Sequence, residues 1–233
     1  MADNSTVDTS LDGGAVRRGG GMSPSHPDTV ELLGVPQSIY VRTVRMACEE
    51  KRIPARLAAV PPHSAEVMAI NPFGTIPVLR HGAIVLFESR AIVGYLDAVF
   101  DGKRLIPDEP VQAAEVEQWA SVLNTRVIPC FVRYTRCYFQ SGRRRPEPDR
   151  RGVDALMPEV ESHFAVLERT AKSPAGFVNG TFTFVDLAVL PILDYLSDLD
   201  EARPYLSSSR LGDYLLEQRR RPSFRATAPP PAS

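Results

Sequence analysis

The stretch Asn71-Pro72-Phe73-Gly74-Thr75-Ile76-Pro77-Val78-Leu79, with Phe87-Glu88-Ser89-Arg90-Ala91-Ile92 shortly after it, decides how this chain is read. Ile76-Pro77-Val78-Leu79 and Ile84-Val85-Leu86-Phe87 are short apolar runs with the composition of strands. His81-Gly82 between them makes a tight turn, so they predict an antiparallel hairpin. A helix follows from Ser89, with Ile92, Tyr95, Leu96 and Val99 on one face. Pro77 has two readings. It is an ordinary turn proline, or its peptide bond is cis, which costs an X-Pro pair only about 0.5–1 kcal/mol. A cis Ile76-Pro77 bond turns the Ile76 N–H and C=O outward, where an extended peptide can pair with them as an added strand. Glu88-Ser89 also has two readings. Ser89 caps the helix with Glu88 near the positive end of its dipole. Alternatively, the helix end and the hydroxyl hold a carboxylate while Glu88 pairs with an ammonium.

Upstream, Val30-Glu31-Leu32-Leu33 reads as a first strand stopped by Gly34-Val35-Pro36, and 38–51 as a helix carrying Val41, Val44, Arg45 and Cys48 at helical spacing. Downstream of residue 111 nothing has the pattern of a strand. Trp119, Leu123, Val127, Cys130, Tyr134 and Cys137 form a long helical stripe, which Pro129 should kink or split. Val153, Leu156, Val160, Phe164 and Leu167 make a second stripe interrupted by Pro158, and Leu187, Leu190, Leu193 and Leu196 a third. The expected architecture is α/β plus all-α: an α/β domain over 29–101, a linker over 102–110 whose segment LIPDEP (105–110) is Pro-bounded and acidic, and an all-helical domain over 111–225. Residues 1–28 are Gly-rich and lack aromatics, and 226–233 are Pro-rich. Both are expected to be a disordered leader and tail.

Together, the segments 34–42, 71–79 and 87–92 resemble the cytosolic glutathione transferases, serine-type members in particular. The resemblance covers about residues 30–100 and resumes at Thr183-Phe184-Val185-Asp186. It implies a thioredoxin-like first domain that binds glutathione and a helical second domain that carries the site for the other substrate. By that resemblance Ile76 and Pro77 hold the cysteinyl unit, Glu88 and Ser89 the γ-glutamyl end, and His63 the glycine carboxylate. Thr75 stands where relatives often have Lys or Gln. Ser38 is implied as the hydroxyl that donates to the thiolate, though its local pattern also fits a helix cap. Tyr40 is the second choice, expected to point away from the cap. Trp119, Arg126, Phe131 and Tyr134 are implied as walls of the second-substrate pocket, with Arg133 and Arg136 near the same face. Cys48 falls on a core stripe. Thr183-x-x-Asp186 has capping-box spacing and a folding role.

Composition supplies the exclusions. The formal net charge is −1, so no global field attracts nucleic acid, and Gly142-Arg143-Arg144-Arg145-Pro146 has acidic neighbours and no interleaved aromatics. No apolar run approaches the roughly 20 residues of a membrane span, and the start MADNSTVDTS lacks an apolar signal region. Three cysteines without CxxC spacing suit a reducing compartment, so a cytoplasmic location is expected, and no metal site is. Three functions follow for test. The first is a transferase joining glutathione to a hydrophobic electrophile; the second is a glutathione-dependent cis-trans isomerase; the third is a non-catalytic binding module of the same fold. The resemblance also implies a homodimer, with Phe73 as an apolar anchor.

Overall fold

The computed structural model describes residues 29–140 and 143–230, so the expected leader over 1–28, and 231–233 of the expected tail, lie outside the described residues. The first half runs β1 (Val30–Gly34), α1 (Ile39–Lys51), β2 (Ala55–Ala59), α2 (Ala65–Met68), β3 (Val78–His81), β4 (Ile84–Phe87) and α3 (Ser89–Val99). Strand order in the sheet is β2-β1-β3-β4, with β1 and β2 parallel and the other pairs antiparallel. The β1-α1-β2 crossover therefore leads into the predicted hairpin. His81 pairs with Ile84, so the turn residues are Gly82-Ala83, one position later than expected, with Gly82 at φ 59°.

Strand alternation sorts the side chains onto two faces. Val30, Leu32 and Leu79 join α1 and α3 in the main core, while Leu33 and Val78 close a small second cluster with Val67 of α2. Leu33 pairs with Val78 and Leu32 with Leu79, so one register serves both cores.

The second half comprises α4 (Pro110–Val122), α5 (Ile128–Thr135), α6 (Arg150–Thr170), α7 (Phe184–Ser197), α8 (Arg210–Gln218) and α9 (Pro222–Ala226). Pro129 has the expected effect. The chain widens into a π-helical turn over Leu123–Val127, where Ile128 N–H donates to Leu123 O just before the proline. Pro158 does not interrupt α6, contrary to expectation. It and Asp154, whose carbonyl loses its helical partner, are both exposed, where solvent is available to that carbonyl. The all-helical expectation also needs correcting for a two-residue ladder, β5 (Phe139–Gln140) with β6 (Arg143–Arg144).

The segment joining the halves is pinned rather than loose. Buried Asp97 accepts from Leu105 N–H at 2.9 Å, Ile106 N–H at 3.1 Å and the buried Lys51 ammonium at 3.1 Å. Phe184 N–H donates to Leu105 O. The capping box at Thr183 and Asp186 is formed, and fully buried Asp186 also accepts from Tyr214 Oη and Phe177 N–H. The tail begins later than its composition suggests: Ala226 ends α9 and Thr227 is buried, donating its hydroxyl to Ser223 O. Among the described residues, no helix is long and apolar enough to cross a membrane.

Candidate active site

Helix α1 is held from behind. Its buried Arg42 donates to Asp194 of α7 at 2.6 Å and lies over the Phe224 ring, and Thr43 Oγ1 lies 3.0 Å from Leu187 O. Tyr195 Oη donates to Gln37 O at 2.8 Å. The helical half thereby fixes the N-terminus of α1. Ser38 is the N-cap, its Oγ accepting Val41 N–H at 3.3 Å. Among the described residues its own hydroxyl proton has no acceptor, and the Ile39 and Tyr40 N–H groups have no partner.

A second helix end faces the same region. Glu88 occupies the N-cap of α3 at φ 71° and ψ 114° and makes no side-chain cap bond. This corrects the capping reading of Ser89, which is the first helical residue instead. Because nothing caps α3, the N–H groups of Ser89, Arg90 and Ala91 stay unpaired among the described residues. A non-glycine residue in that part of backbone space costs on the order of 1–3 kcal/mol. Here the strained turn leaves the exposed Glu88 side chain beside three free donors.

The loop before β3 completes the cradle. The Ile76-Pro77 bond is cis, and Ile76 N–H and C=O have no hydrogen-bond partner among the described residues. Buried Asn71 holds this loop, donating to Thr75 O at 3.0 Å and Thr75 Oγ1 at 2.8 Å while accepting Phe73 N–H at 3.1 Å. Gly74 is required twice over. Its φ is 67°, and a Cβ there would stand 2.3 Å from His63 Nδ1. His63 packs over Gly74 and donates its N–H to Gly74 O at 2.8 Å.

Thr75, Ile76, Pro77, Glu88 and Ser89 line one cavity of about 210 Å³, with Asn124 and Tyr40 as its other walls. His63 stands outside that lining. Tyr40 also borders two larger cavities, of about 650 Å³ and about 670 Å³, and Ser38 borders the latter. Tyr40 therefore sits where the cradle opens toward the helical half, rather than pointing away from it. Burial raises its phenol above the ordinary value, and the Glu88 charge raises it further. At neutral pH it is a hydroxyl donor.

The residues expected to wall a second-substrate pocket do not lie together. Arg126 lines the 650 Å³ cavity, but Phe131 and Tyr134 are fully buried, Phe131 against Phe164 at 5.0 Å and Tyr134 bonded to Tyr138. Trp119 packs against Phe177. The physical reason is that the aromatic stripe of α4–α5 belongs to the core, so the flanking positions Pro129, Val132, Arg133 and Arg136 face the cavity. Thr135, Phe139, Arg144, Ile192 and Tyr195 line the other cavity, as do Ala228, Pro229 and Pro230. Sequence reading missed this contribution of the C-terminal segment. Its one signal was the apolar Ala-Pro-Pro composition.

One set of possible metal donors also escaped notice. Cys130, Glu159 and His163 bring their ligand atoms within 4.8 Å of one another. Arg133 holds Glu159 at 2.6 Å, and burial pushes the Cys130 thiol up to about 11, so a metal would have to displace a guanidinium and a proton. The donor set as it stands is poorly suited to a cation.

Comparison with known proteins agrees with this geometry. The family model for the glutathione S-transferase N-terminal domain matches residues 32–104, and that for the C-terminal domain matches 125–209. Glutathione S-transferase GstB of Escherichia coli (strain K12) is 30% identical over 173 residues, covering 70% of this chain and 81% of that protein. The crystal structure of glutathione transferase F7 from Populus trichocarpa superposes with a TM-score of 0.75 at 26% identity, covering 85% of this chain and 97% of that one. A glutathione S-transferase from Methylobacillus flagellatus KT with GSH bound has a TM-score of 0.70 at 29% identity, covering 86% and 100%.

Proposed function

The chain belongs to the glutathione S-transferase family, and from that premise we propose that it activates the glutathione thiol for attack on a hydrophobic electrophile. The observation that carries this reading is the 210 Å³ cradle, where an unpaired strand edge and an uncapped helix end meet. Glutathione is an extended peptide with an amine and a carboxylate at one end. Its cysteinyl unit pairs with Ile76, as an added strand would. Its γ-glutamyl carboxylate takes the free N–H groups of α3 and the Ser89 hydroxyl, and its ammonium takes Glu88. His63, across Gly74, serves the glycine carboxylate.

The sulfur then points toward the α1 end. Ser38 donates to it, since Oγ accepts from Val41 while its own proton is unused. Tyr40 walls the passage to the second site. In the reaction a carbon–sulfur bond forms. For a displacement, the leaving group departs with its electron pair and the thiol proton passes to solvent. For an addition to an activated double bond, a proton is taken up on the neighbouring carbon.

Exposed Phe73 supports a homodimer, because a ring 70% accessible at a loop tip is an anchor lacking a pocket in its own chain. The test of function is retention on glutathione-agarose followed by turnover of 1-chloro-2,4-dinitrobenzene. A chain that is retained without turnover is a binding module. One that flows through refutes the cradle assignment.

A further inference from the structure

We propose that the preferred electrophile carries a carboxylate, which Arg126 and Arg136 hold beside Tyr40. This rests on the transferase reading above and names the substrate class of its second site. The 650 Å³ cavity adjoining the cradle at Tyr40 is lined by three guanidinium groups, those of Arg126, Arg133 and Arg136. Arg133 is neutralised by Glu159, at 2.6 Å, the one carboxylate in the lining. Arg126 and Arg136 have no side-chain acceptor among the described residues. That contrasts with Arg42, Arg80, Arg104 and Arg221, each held by a carboxylate.

The other titratable groups lining that cavity do not cancel the excess. Cys130 keeps its proton because burial raises its thiol to about 11. His163 brings no negative charge, and Tyr40 stays protonated. Glu88 acts on Tyr40 from outside that lining, and the γ-glutamyl ammonium would meet it. Arg136 also lines the 670 Å³ cavity with Arg144, Asp194 and Asp198, but Asp194 is already held by Arg42 and Arg219. Pro129 and Val132 supply apolar wall between the two free arginines. An apolar body with an anionic end fits this lining, whereas a purely apolar electrophile would leave two unpaired cations in its site.

The experiment uses the full chain at saturating glutathione with a matched pair of electrophiles, 4-chloro-3-nitrobenzoate and 4-chloro-3-nitrobenzamide. Both react by displacement of chloride, which leaves with its electron pair as sulfur binds the ring carbon. Arg126→Gln and Arg136→Gln should each lower kcat/KM for the carboxylate about tenfold further than for the amide, as loss of a charge-assisted hydrogen bond predicts. Raising the ionic strength from about 0.05 to about 0.5 M should shrink the wild-type difference by screening. Both side chains are exposed and unpartnered, so folding is not at stake. Equal losses for acid and amide overturn the carboxylate assignment while leaving the transferase reading intact. So does a rise in KM for glutathione alone, which would mean the arginines serve the cofactor. Turnover of 1-chloro-2,4-dinitrobenzene with neither of these compounds turned over overturns the carboxylate assignment alone, and failure with all three overturns both readings.

Discussion

Replacing Ser38 by Ala tests the proposed activation most directly. A thiol with the ordinary value of about 8.5 is mostly protonated at neutral pH, and lowering it by two units takes about 2.7 kcal/mol of preference for the anion. Two donors are available at the end of α1. A hydroxyl bonded to a charged acceptor contributes about 1.5–3 kcal/mol. The unpaired Ile39 and Tyr40 N–H groups express a helix end that contributes about 0.3–1 kcal/mol more. Ser38→Ala removes the first and keeps the second, so the bound thiol should rise by roughly one to two units. Turnover at pH 7 should fall about tenfold to a hundredfold, with the midpoint of the pH–rate profile moving up by the same one to two units. Retention on glutathione-agarose should persist, because Ile76, Glu88 and Ser89 lie in the separate cradle lining.

Tyr40→Phe is the necessary companion. Tyr40 walls all three cavities, so its loss should act on binding of the electrophile more than on the pH midpoint. The assay is the initial rate with 1-chloro-2,4-dinitrobenzene from pH 5.5 to 9, with thermal unfolding as control. Losing the Ser38 cap to Val41 costs about 1 kcal/mol, or about 2–4 °C in Tm for a chain of this size. If Ser38→Ala keeps its rate and profile while Tyr40→Phe shifts the midpoint, the roles are reversed and the argument from the free Ser38 proton is wrong.

Other features of the fold give sharper tests of stability than of rate. Asp97→Ala leaves the buried Lys51 ammonium without its carboxylate and unpins Leu105, so urea unfolding should show a loss of about 3–5 kcal/mol. Burial alone pushes the Glu50 carboxyl up, but bonds from Arg221 and Ser223 outweigh it and hold the group below its ordinary range. A carboxyl lowered in the folded state stabilises fully above its unfolded value of about 4.5, and that contribution is lost as pH falls through the folded value. Urea midpoints measured from pH 6 down to 3 should therefore fall, and Glu50→Gln should flatten the decline. Burial raises the Cys48 thiol to about 12, so Ellman's reagent at pH 8 should titrate it only after unfolding; rapid native labelling there would refute its core placement. Light scattering should give about twice the 25.7 kDa chain mass, and Phe73→Asp should shift it toward the monomer.

Where the sequence was legible, the cause was local. The Thr75-Ile76-Pro77 corner is built by Asn71, four residues away, and by a glycine whose φ of 67° no other residue adopts without strain. The hairpin needs only two apolar runs and a turn glycine. The second-substrate wall was misread because a helical stripe does not announce what covers it. Phe131 and Val132 are adjacent and both apolar. One is sealed against Phe164 while its neighbour faces the cavities, and that division is made by where α6 and α7 pack. Tyr40 was misjudged for the same reason: its direction depends on how α7 buttresses the first turn of α1.

Glu88 exposes a different limit. Its letters, Glu followed by Ser at a strand-to-helix boundary, are those of an ordinary capped helix. The structure instead has an uncapped helix with a strained residue at the cap position. Propensity favours the cap, because a side-chain bond to a first-turn N–H is worth about 1 kcal/mol. Forgoing that bond and accepting an unfavourable φ at the same residue is a cost that folding alone does not explain. The free N–H groups, the Ser89 hydroxyl and the exposed Glu88 carboxylate meet in one cavity with the unpaired edge of Ile76. Local sequence rules failed where these groups converge, and their chemistry is what the proposed glutathione site requires: donors for a carboxylate, a carboxylate for an ammonium, and a free backbone edge for an extended peptide.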